Sequence, residues 1–301
     1  MKYFNKMLIT LSTAALVLTG CGADEGEQTS TDSATTQGRP AELDAESVTE
    51  IAELVPQEIR DKGQLDVAIT VGMAPLNYAE PESEEMVGLN PDLASLVGDV
   101  LDLDVNIHGV TMDQIIPGME AGRYDVTFAN MGITPERAEV LDFVEYYFAS
   151  ANLGVRKGNP ADLSSDTLCG VSIGVANGSY QHVSLLPKYT EECEANGEDA
   201  LDINTFPEQQ QALLALSSSR VDAVSLDGAV LLYAISQDDS YEDLGYMDDG
   251  ANVGIGVLKG NELLEPVQLA MNHLSETELY QETLGSYGID EFALEEFEVH
   301  Q

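Results

Sequence analysis

Three polar residues that follow predicted strands have the chemistry to hold a small, doubly charged molecule. The first, Arg137, lies in the turn of "ANMGITPERAEV" (129–140), in a chain with only 12 Lys and Arg residues. A guanidinium binds a carboxylate through two parallel hydrogen bonds. The alternative is a surface ion pair with Glu136 or Glu139, and the spacing alone leaves both interpretations open.

Two further strand ends carry complementary groups. In "VANGSYQ" (175–181) a strand passes through Gly178 and Ser179 into a helix, whose free N–H groups and serine hydroxyl favour an anion. Asp227, in "VDAVSLDG" (221–228), could accept hydrogen bonds from an ammonium group. Each feature alone is also ordinary turn or helix-capping chemistry. Together, the three strand ends supply the parts needed to hold a zwitterion.

The elements that must position these residues alternate between strand and helix. Strands are predicted at 64–72, 104–110, 124–131, 152–158, 170–179, 202–207, 221–228 and 252–260. Helices are predicted at 45–63, after a cap at Asn90 with Pro91 in the first turn, at 112–123, from Tyr180, at 208–220, at 229–237 and twice after 260. This alternation favours parallel α/β sheets, whose ligands lie beyond the carboxyl ends of the strands.

The chain is strongly acidic. Its 301 residues contain 54 Asp and Glu and carry a formal net charge of −42. Such a charge repels phosphate backbones and argues against nucleic acid as a partner. We interpret the acidity as surface hydration, as in proteins that work at high salt. The length suits one large domain or two lobes.

The first residues predict a lipoprotein leader. Two lysines precede the apolar run "MLITLSTAALVL" (7–18), which is too short to span a membrane as a helix. It ends in Leu18-Thr19-Gly20-Cys21, which resembles a bacterial lipobox. We expect removal of residues 1–20, a lipid anchor at Cys21 on the outer face of the cell membrane, and a flexible tether over 21–44. An ordinary signal peptide with a chance cysteine is the alternative.

The remaining cysteines, Cys169 and Cys193, favour a disulfide, because outside the cytoplasm an isolated pair of cysteines is seldom a metal or redox site. No further ligands stand at metal spacing. The four histidines are scattered along the chain, at His108, His182, His273 and His300. We therefore expect neither a metal nor a cofactor.

Four segments, in the expected order, resemble the solute-binding proteins (family 3, polar amino-acid type) of bacterial ABC importers, in their lipoprotein form. They are "VGLNPDLASLVGDVL" (87–101), "DQIIPGMEAGRYDVTFANMGITPERAEVLDFVEYYF" (113–148), "LCGVSIGVANGSYQ" (168–181) and "SSRVDAVSLDGA" (218–229). The resemblance covers about residues 45–290. It implies an α/β fold, periplasmic-binding-protein-like type II, with two lobes and a two-strand hinge. Lobe 1 would be 45–151 plus 256–301, and lobe 2 would be 152–255 with the hinge strands.

The resemblance also implies the roles of the site residues. The family's carboxylate-binding arginine falls on Arg137 and its ammonium-binding aspartate on Asp227. The other ligand-binding positions fall on Asn130, Gly132, Ser179, Tyr180, Met73 (or nearby Tyr78) and Met112. Thr70 stands where relatives specific for lysine or arginine carry an acid. We therefore expect a neutral or apolar zwitterion. In the high-GC Gram-positive branch, the cysteines equivalent to Cys169 and Cys193 pair.

These features predict a monomeric, non-enzymatic, extracytoplasmic receptor that captures an amino acid and delivers it to an ABC permease. A binder of compatible solutes, such as ectoine- or betaine-like molecules, is the alternative. A cyclohexadienyl-dehydratase-like enzyme on the same fold has less support, because no nucleophile–histidine arrangement is visible. A sensor subunit would use the same binding event, so the sequence does not separate it from a transport receptor.

Overall fold

The computed structural model describes residues 44–301, apart from residues 81, 82, 84, 167 and 249. The expected leader, the lipidated Cys21 and the tether before residue 44 lie outside the described residues. Within the described part of the chain, none of the helices combines the length and the hydropathy that a membrane crossing needs.

Thirteen strands run through the described residues. In chain order they are β1 (Gln64–Thr70), β2 (Tyr78–Ala79), β3 (Met86–Val87), β4 (Asp104–Val110), β5 (Val126–Gly132), β6 (Leu141–Ala149), β7 (Ala151–Arg156), β8 (Ser172–Ala176), β9 (Asp202–Phe206), β10 (Ala223–Asp227), β11 (Tyr241–Tyr246), β12 (Ala251–Leu258) and β13 (Val299–His300). They form a six-stranded sheet, β13-β6-β12-β5-β1-β4, a five-stranded sheet, β11-β7-β10-β8-β9, and the small β2-β3 pair.

The expectation of parallel sheets is met only in part. In the six-stranded sheet β1 pairs in parallel with β4 and β5, and in the five-stranded sheet β8 pairs in parallel with β9 and β10. The strands β6, β12 and β13, and β7 with β11, pair antiparallel to their neighbours. Both sheets are therefore mixed, because the chain returns across each sheet without a crossover helix at these strands.

Ten α-helices lie between and beside the strands. They are α1 (Thr49–Ala52), α2 (Gln57–Lys62), α3 (Leu89–Val100), α4 (Met112–Glu120), α5 (Pro135–Ala138), α6 (Leu186–Ala195), α7 (Gln209–Ser217), α8 (Gly228–Gln237), α9 (Leu264–Glu276) and α10 (Leu279–Ser286). A π-helical turn, Gln181–Leu185, precedes α6, and a 3₁₀ turn covers Asp290–Phe292.

Two of the predicted helices were wrong in detail. The helix predicted at 45–63 is broken into α1 and α2, because Pro56 stands between them in an extended conformation. Asn90 is not a helix cap: α3 begins at Leu89 after Gly88. The Asn90 side chain is instead buried, where it bonds to Asn77 and Tyr146.

The chain passes between the two large sheets twice, at Ser150 between β6 and β7 and at residues 247–250 between β11 and β12. Each sheet has its own apolar core. The larger core packs the six-stranded sheet against α3, α9 and α10, around residues such as Leu93, Tyr146 and Tyr280. On the five-stranded sheet, the predicted disulfide between Cys169 and Cys193 is present. The architecture is the expected pair of α/β lobes joined by two crossing segments.

Candidate functional site

A cavity of about 40 Å³ lies between the two sheets, where the carboxyl ends of β5 and β10 meet both crossing segments. Its walls include all but one of the ligand-binding residues predicted from the sequence: Met73, Met112, Asn130, Gly132, Ser179, Tyr180 and Asp227. Arg137 is the exception, since it lines a neighbouring cavity that shares Met112 with the first. Sequence reasoning therefore located the cavity but not the orientation of its arginine.

Asp227 ends β10 in the wall of this cavity, and only 1% of its surface is exposed. Its Oδ1 accepts the N–H of Ala229 at 3.0 Å and so caps α8. Its own N–H donates to Gln209 Oε1 at 3.1 Å. Burial raises the pKa of the carboxyl to about 6, although hydrogen bonds from Asn130 and the helix N–H groups partly oppose this. The backbone thus holds a desolvated acid against the cavity.

Asn130 connects the two sheets through its side chain. Its Nδ2 donates to Asp227 Oδ2 at 2.7 Å, while its Oδ1 is buried without a hydrogen-bond partner among the described residues. The residue has a φ of 51°, a left-handed conformation that asparagine tolerates better than most side chains. The amide therefore occupies one Asp227 oxygen and leaves one acceptor of its own free for a donor.

A chain of buried hydrogen bonds runs behind this wall in the first lobe. The Asn130 N–H donates to the Tyr146 hydroxyl at 3.1 Å, and that hydroxyl donates to Asn90 Oδ1 at 2.8 Å. Asn90 Nδ2 donates in turn to Asn77 Oδ1 at 2.5 Å. Asn77 Nδ2 donates to the Thr70 hydroxyl at 2.9 Å, and that hydroxyl contacts the Met73 sulfur at 3.1 Å. One polar network therefore connects two walls of the cavity, Asn130 and Met73.

Arg137 lies on α5 with 8% of its surface exposed. Its Nη1 donates to the carbonyl of Gly132 at 2.6 Å and its Nη2 to the carbonyl of Gly178 at 2.5 Å. Thr134 supports the helix by accepting the Arg137 N–H at 3.3 Å. Burial lowers the pKa of the guanidinium to about 10, and the nearby Glu136 only partly opposes that shift. The alternative interpretation, a surface ion pair with Glu136 or Glu139, has no counterpart among the ion pairs of the described residues.

The buried arginine and the buried aspartate share one property. In the described part of the chain, neither Arg137 nor Asp227 forms an ion pair within 4.0 Å. Charges that are this well buried are normally paired, because desolvation of an isolated charge costs several kcal/mol. Arg137 and Asp227 are therefore one buried cation and one buried anion, each with backbone or amide partners only.

Gly132, at the end of β5, lies close to Tyr180, which belongs to the opposite lobe. A methyl group placed on Gly132 would lie 2.9 Å from Tyr180 Cβ. This contact explains the glycine, since Tyr180 occupies the space that a larger residue would need.

Ser179 and the residues after it form the second strand end of the site. The Ser179 hydroxyl accepts the N–H of His182 at 3.2 Å, and the Gly178 N–H donates to His182 Nδ1 at 3.0 Å. The helix predicted from Tyr180 begins as a π-helical turn. Such turns widen the helix locally and are frequent at functional sites. Here the turn places Gln181 in the cavity wall.

Several cavity residues were not predicted from the sequence, namely Ser150, Gln181, Gln209 and Asp248. Gln209 could have been suspected, because it opens α7 directly after a strand. Asp248 had no signal, because "MDDG" (247–250) is typical of an ordinary turn. Its side chain reaches the cavity only because the two crossing segments lie side by side.

One other cluster lies apart from the cavity walls. Ligand atoms of Glu145, Glu298 and His300 lie within 4.8 Å of one another. Glu145, which is buried, already accepts hydrogen bonds from Asn252 Nδ2 at 2.6 Å and from His300 at 2.7 Å. These contacts explain the cluster as the attachment of β13 to β6.

Known proteins resemble this chain over most of its length. An arginine-binding protein, ArgT, of Corynebacterium glutamicum is 24% identical over 264 residues, which are 86% of each chain. The ABC transporter glutamine-binding protein GlnH of Bacillus subtilis is 25% identical over 267 residues, 87% of this chain and 88% of that protein. A solved structure of an ancestral arginine-binding protein bound to arginine has a TM-score of 0.68 at 30% identity, and covers 75% of this chain and 98% of that one.

The family model for bacterial extracellular solute-binding proteins, family 3, matches residues 65–289. That range includes every cavity residue. It also includes both large sheets, apart from β13 and the first residue of β1. Both relatives are named as amino-acid-binding proteins, and the second is named as part of an ABC transporter. The chain belongs to the bacterial extracellular solute-binding proteins of family 3 and has their two-lobed type II periplasmic-binding-protein fold.

Proposed function

We propose that the protein captures a small zwitterion, a neutral amino acid, outside the cell and delivers it to an ABC permease. One observation carries this proposal: a buried guanidinium, Arg137, and a buried carboxylate, Asp227, line neighbouring cavities that share Met112, and neither has an ionic partner among the described residues. A molecule with one carboxylate and one ammonium group would neutralise both. Thr70, Met73 and Met112 supply no charge for the ligand's side chain, which favours a neutral amino acid.

The ligand would hold the lobes together. In our assignment lobe 1 is 45–151 plus 256–301 and lobe 2 is 152–255, counted with the hinge strands. Arg137 belongs to the first lobe and Asp227 to the second, so a ligand held by both binds the closed state better than the open one. Closure follows from that difference in affinity.

The position of Arg137 is compatible with this role. Its Nη2 bonds to the carbonyl of Gly178, which belongs to the opposite lobe. That bond breaks when the lobes separate, and the guanidinium is then free to receive a carboxylate. Asn130 behaves in the same way, because its Nδ2 occupies the Asp227 oxygen that an ammonium group would take. Ser179, Tyr180 and the Gly132 backbone would complete the contacts with the ligand.

The remaining assignments concern the location of the protein. We infer a monomer that is held on the outer face of the cell membrane by lipid at Cys21 and that uses neither metal, cofactor nor nucleic acid. Replacement Cys21→Ala tests the anchor by cell fractionation. Release of the protein into the medium is the expected result, and full membrane retention would contradict lipidation.

An ectoine- or betaine-like solute remains the second candidate, because the acidity of the chain is typical of proteins that work at high salt. Such solutes are also zwitterions, but a betaine has no N–H to donate to Asp227. A cyclohexadienyl-dehydratase-like enzyme is the third candidate. Turnover of prephenate or arogenate by the purified protein would establish it and exclude the receptor.

A binding screen tests the main proposal. Thermal shift with the twenty amino acids and common osmolytes should show concentration-dependent stabilisation by at least one amino acid. Replacement Arg137→Met should then weaken that ligand at least 100-fold by calorimetry, because its carboxylate loses a charged partner. Arg156→Met is the matched control, since Arg156 also donates to two backbone carbonyls, those of Leu216 and Val221, far from the cavity lining. Equal affinities in both variants would overturn the role of Arg137.

A further inference from the structure

The cavity contains a second carboxylate, which comes from the crossing segment between β11 and β12. Asp248 lines the cavity and is only partly exposed. Its Oδ1 accepts the N–H of Gly250 at 3.1 Å and that of Ala151, in the other crossing segment, at 3.4 Å. These bonds fix the position of the side chain at the hinge. Among the described residues, no backbone N–H donates to Oδ2, so this oxygen is available to a donor in the cavity.

The charges around the cavity do not balance for a simple zwitterion. Its lining contains two acids, Asp227 and Asp248, and no lysine, arginine or histidine. Arg137 lies just behind the wall and supplies one positive charge. The ammonium group of an amino acid would neutralise the Asp227 carboxylate. Asp248 would then remain without a donor from the ligand's main-chain groups.

The Tyr180 hydroxyl forms a hydrogen bond with the Asp248 carboxylate. Burial raises the pKa of the Tyr180 hydroxyl, and the nearby Asp248 carboxylate, to which that hydroxyl donates, raises it further. Both residues line the cavity. A ligand that displaces the hydroxyl must replace its hydrogen bond, because an acid that the ligand desolvates without supplying a donor weakens binding.

We propose that Asp248 determines specificity by accepting a hydrogen bond from a planar N–H group, a carboxamide or a guanidinium, at the end of the ligand's side chain. This inference rests on the proposed receptor function, since Asp227 and Arg137 must hold the amino-acid head group. It extends the side chain beyond the neutral one favoured by Thr70, Met73 and Met112, because Asp248 adds a charge to the same cavity. The two methionines, Met73 and Met112, line the same cavity and would contact the apolar stem of such a side chain. A purely apolar side chain would bury the Asp248 carboxylate without giving it a hydrogen-bond donor from the ligand.

The two possible donors differ in charge. A carboxamide gives Asp248 one hydrogen bond and leaves its charge in place, whereas a guanidinium also neutralises it. Sites that hydrogen-bond a polar group discriminate strongly against analogues that lack it. The removal of the Asp248 charge should therefore weaken a guanidinium ligand more than a carboxamide ligand, and it should not weaken an apolar ligand, which no longer buries a charge.

Replacement Asp248→Asn tests the proposal, because asparagine keeps an oxygen for the N–H groups of Gly250 and Ala151. Asp243→Asn is the matched control: Asp243 also caps a turn, at the Gly245 N–H, but it does not line the cavity. Calorimetry with L-arginine, L-glutamine and L-norleucine should show at least tenfold weaker arginine binding in Asp248→Asn, a smaller loss for glutamine, and no loss for norleucine. Asp243→Asn should bind all three like the wild type.

Unchanged arginine and glutamine affinities in a folded Asp248→Asn protein would overturn the proposal. So would wild-type binding of norleucine as tight as that of arginine and glutamine, although the receptor function would then stand. Binding of no amino acid by the wild type would overturn both. If Asp248→Asn does not fold, Tyr180→Phe tests the proposal instead, because it removes the Tyr180 hydroxyl, which competes with the ligand as a donor to Asp248. The affinity for the better-bound of arginine and glutamine should then rise two- to fivefold relative to norleucine, and an unchanged ratio would contradict the role of Asp248.

Discussion

The side-chain amide of Asn130 donates to the carboxylate of Asp227 at 2.7 Å, and this hydrogen bond joins the end of β5 in one sheet to the end of β10 in the other. Both residues are buried. The bond connects an uncharged donor to an acid whose burial raises its pKa to about 6. The protein thus keeps an acid at a cost in stability, which is a frequent property of binding sites.

Replacement Asp227→Asn should stabilise the ligand-free protein. The carboxyl has a pKa near its ordinary value of 3.8 when the chain is unfolded and about 6 when it is folded, so ionisation favours unfolding as the pH rises through this window. The penalty is complete above about pH 6 and amounts to about 3 kcal/mol. Asparagine removes it, caps α8 equally well, and can donate to the unpartnered Oδ1 of Asn130 after that amide flips.

Chemical denaturation at several pH values measures this effect. The variant should exceed the wild type in free energy of unfolding at pH 7, and the difference should shrink towards zero near pH 4. Glu276→Gln, an exposed change that removes the same charge, controls for the reduced repulsion in an acidic chain. A difference that is independent of pH would show that Asp227 is not desolvated as described.

Ligand binding should release protons near pH 6. An ammonium group on Asp227 favours the ionised carboxylate, whereas the free protein holds a proton on part of the population at its pKa of about 6. Affinity should therefore fall about tenfold for each pH unit below 6. Calorimetry in buffers of different ionisation enthalpy at pH 6 detects the protons directly. Binding without proton release at that pH would argue that the ammonium lies elsewhere.

Much of the site could be predicted because its residues stand at strand ends. Asn130 and Gly132 end β5, and Asp227 ends β10, so hydrophobic patterns alone place them at sheet edges. The antiparallel pairing of β12 with β5 and β6 was not predictable, because it depends on how the chain returns across the hinge. Asp248 was missed for the same reason. Its role follows from the contact between two crossing segments, which no local pattern encodes.

The orientation of Arg137 was also beyond the sequence. A guanidinium after a strand end is expected to bind an anion. The guanidinium of Arg137 instead donates to two carbonyl groups, those of Gly132 and Gly178. The second of these comes from the opposite lobe. Which acceptor the arginine uses thus depends on lobe closure, and closure is a property of the assembled fold.

Loss of the disulfide should destabilise the second lobe without changing the site. Cys169 and Cys193 are separated by 24 residues, and a loop of that size stabilises by roughly 3 kcal/mol in the chain-entropy model. The double replacement Cys169→Ser with Cys193→Ser should lower the free energy of unfolding accordingly, as measured in denaturant. Reductant should reproduce the loss in the wild type and have no effect on the variant. Ligand affinity of the folded variant should remain that of the wild type, since neither cysteine lines the cavity.

Replacement Tyr146→Phe should damage both stability and binding. The Tyr146 hydroxyl accepts the N–H of Asn130 and donates to Asn90 Oδ1, and its removal leaves both groups buried without this partner. Each such group costs roughly 1–3 kcal/mol. Asn130 would also lose the bond that fixes its left-handed backbone, so its amide would meet Asp227 less well. Denaturation and calorimetry should both show losses, whereas Tyr246→Phe, at an exposed position, should show neither. A loss of stability with unchanged ligand affinity would limit Tyr146 to a structural role.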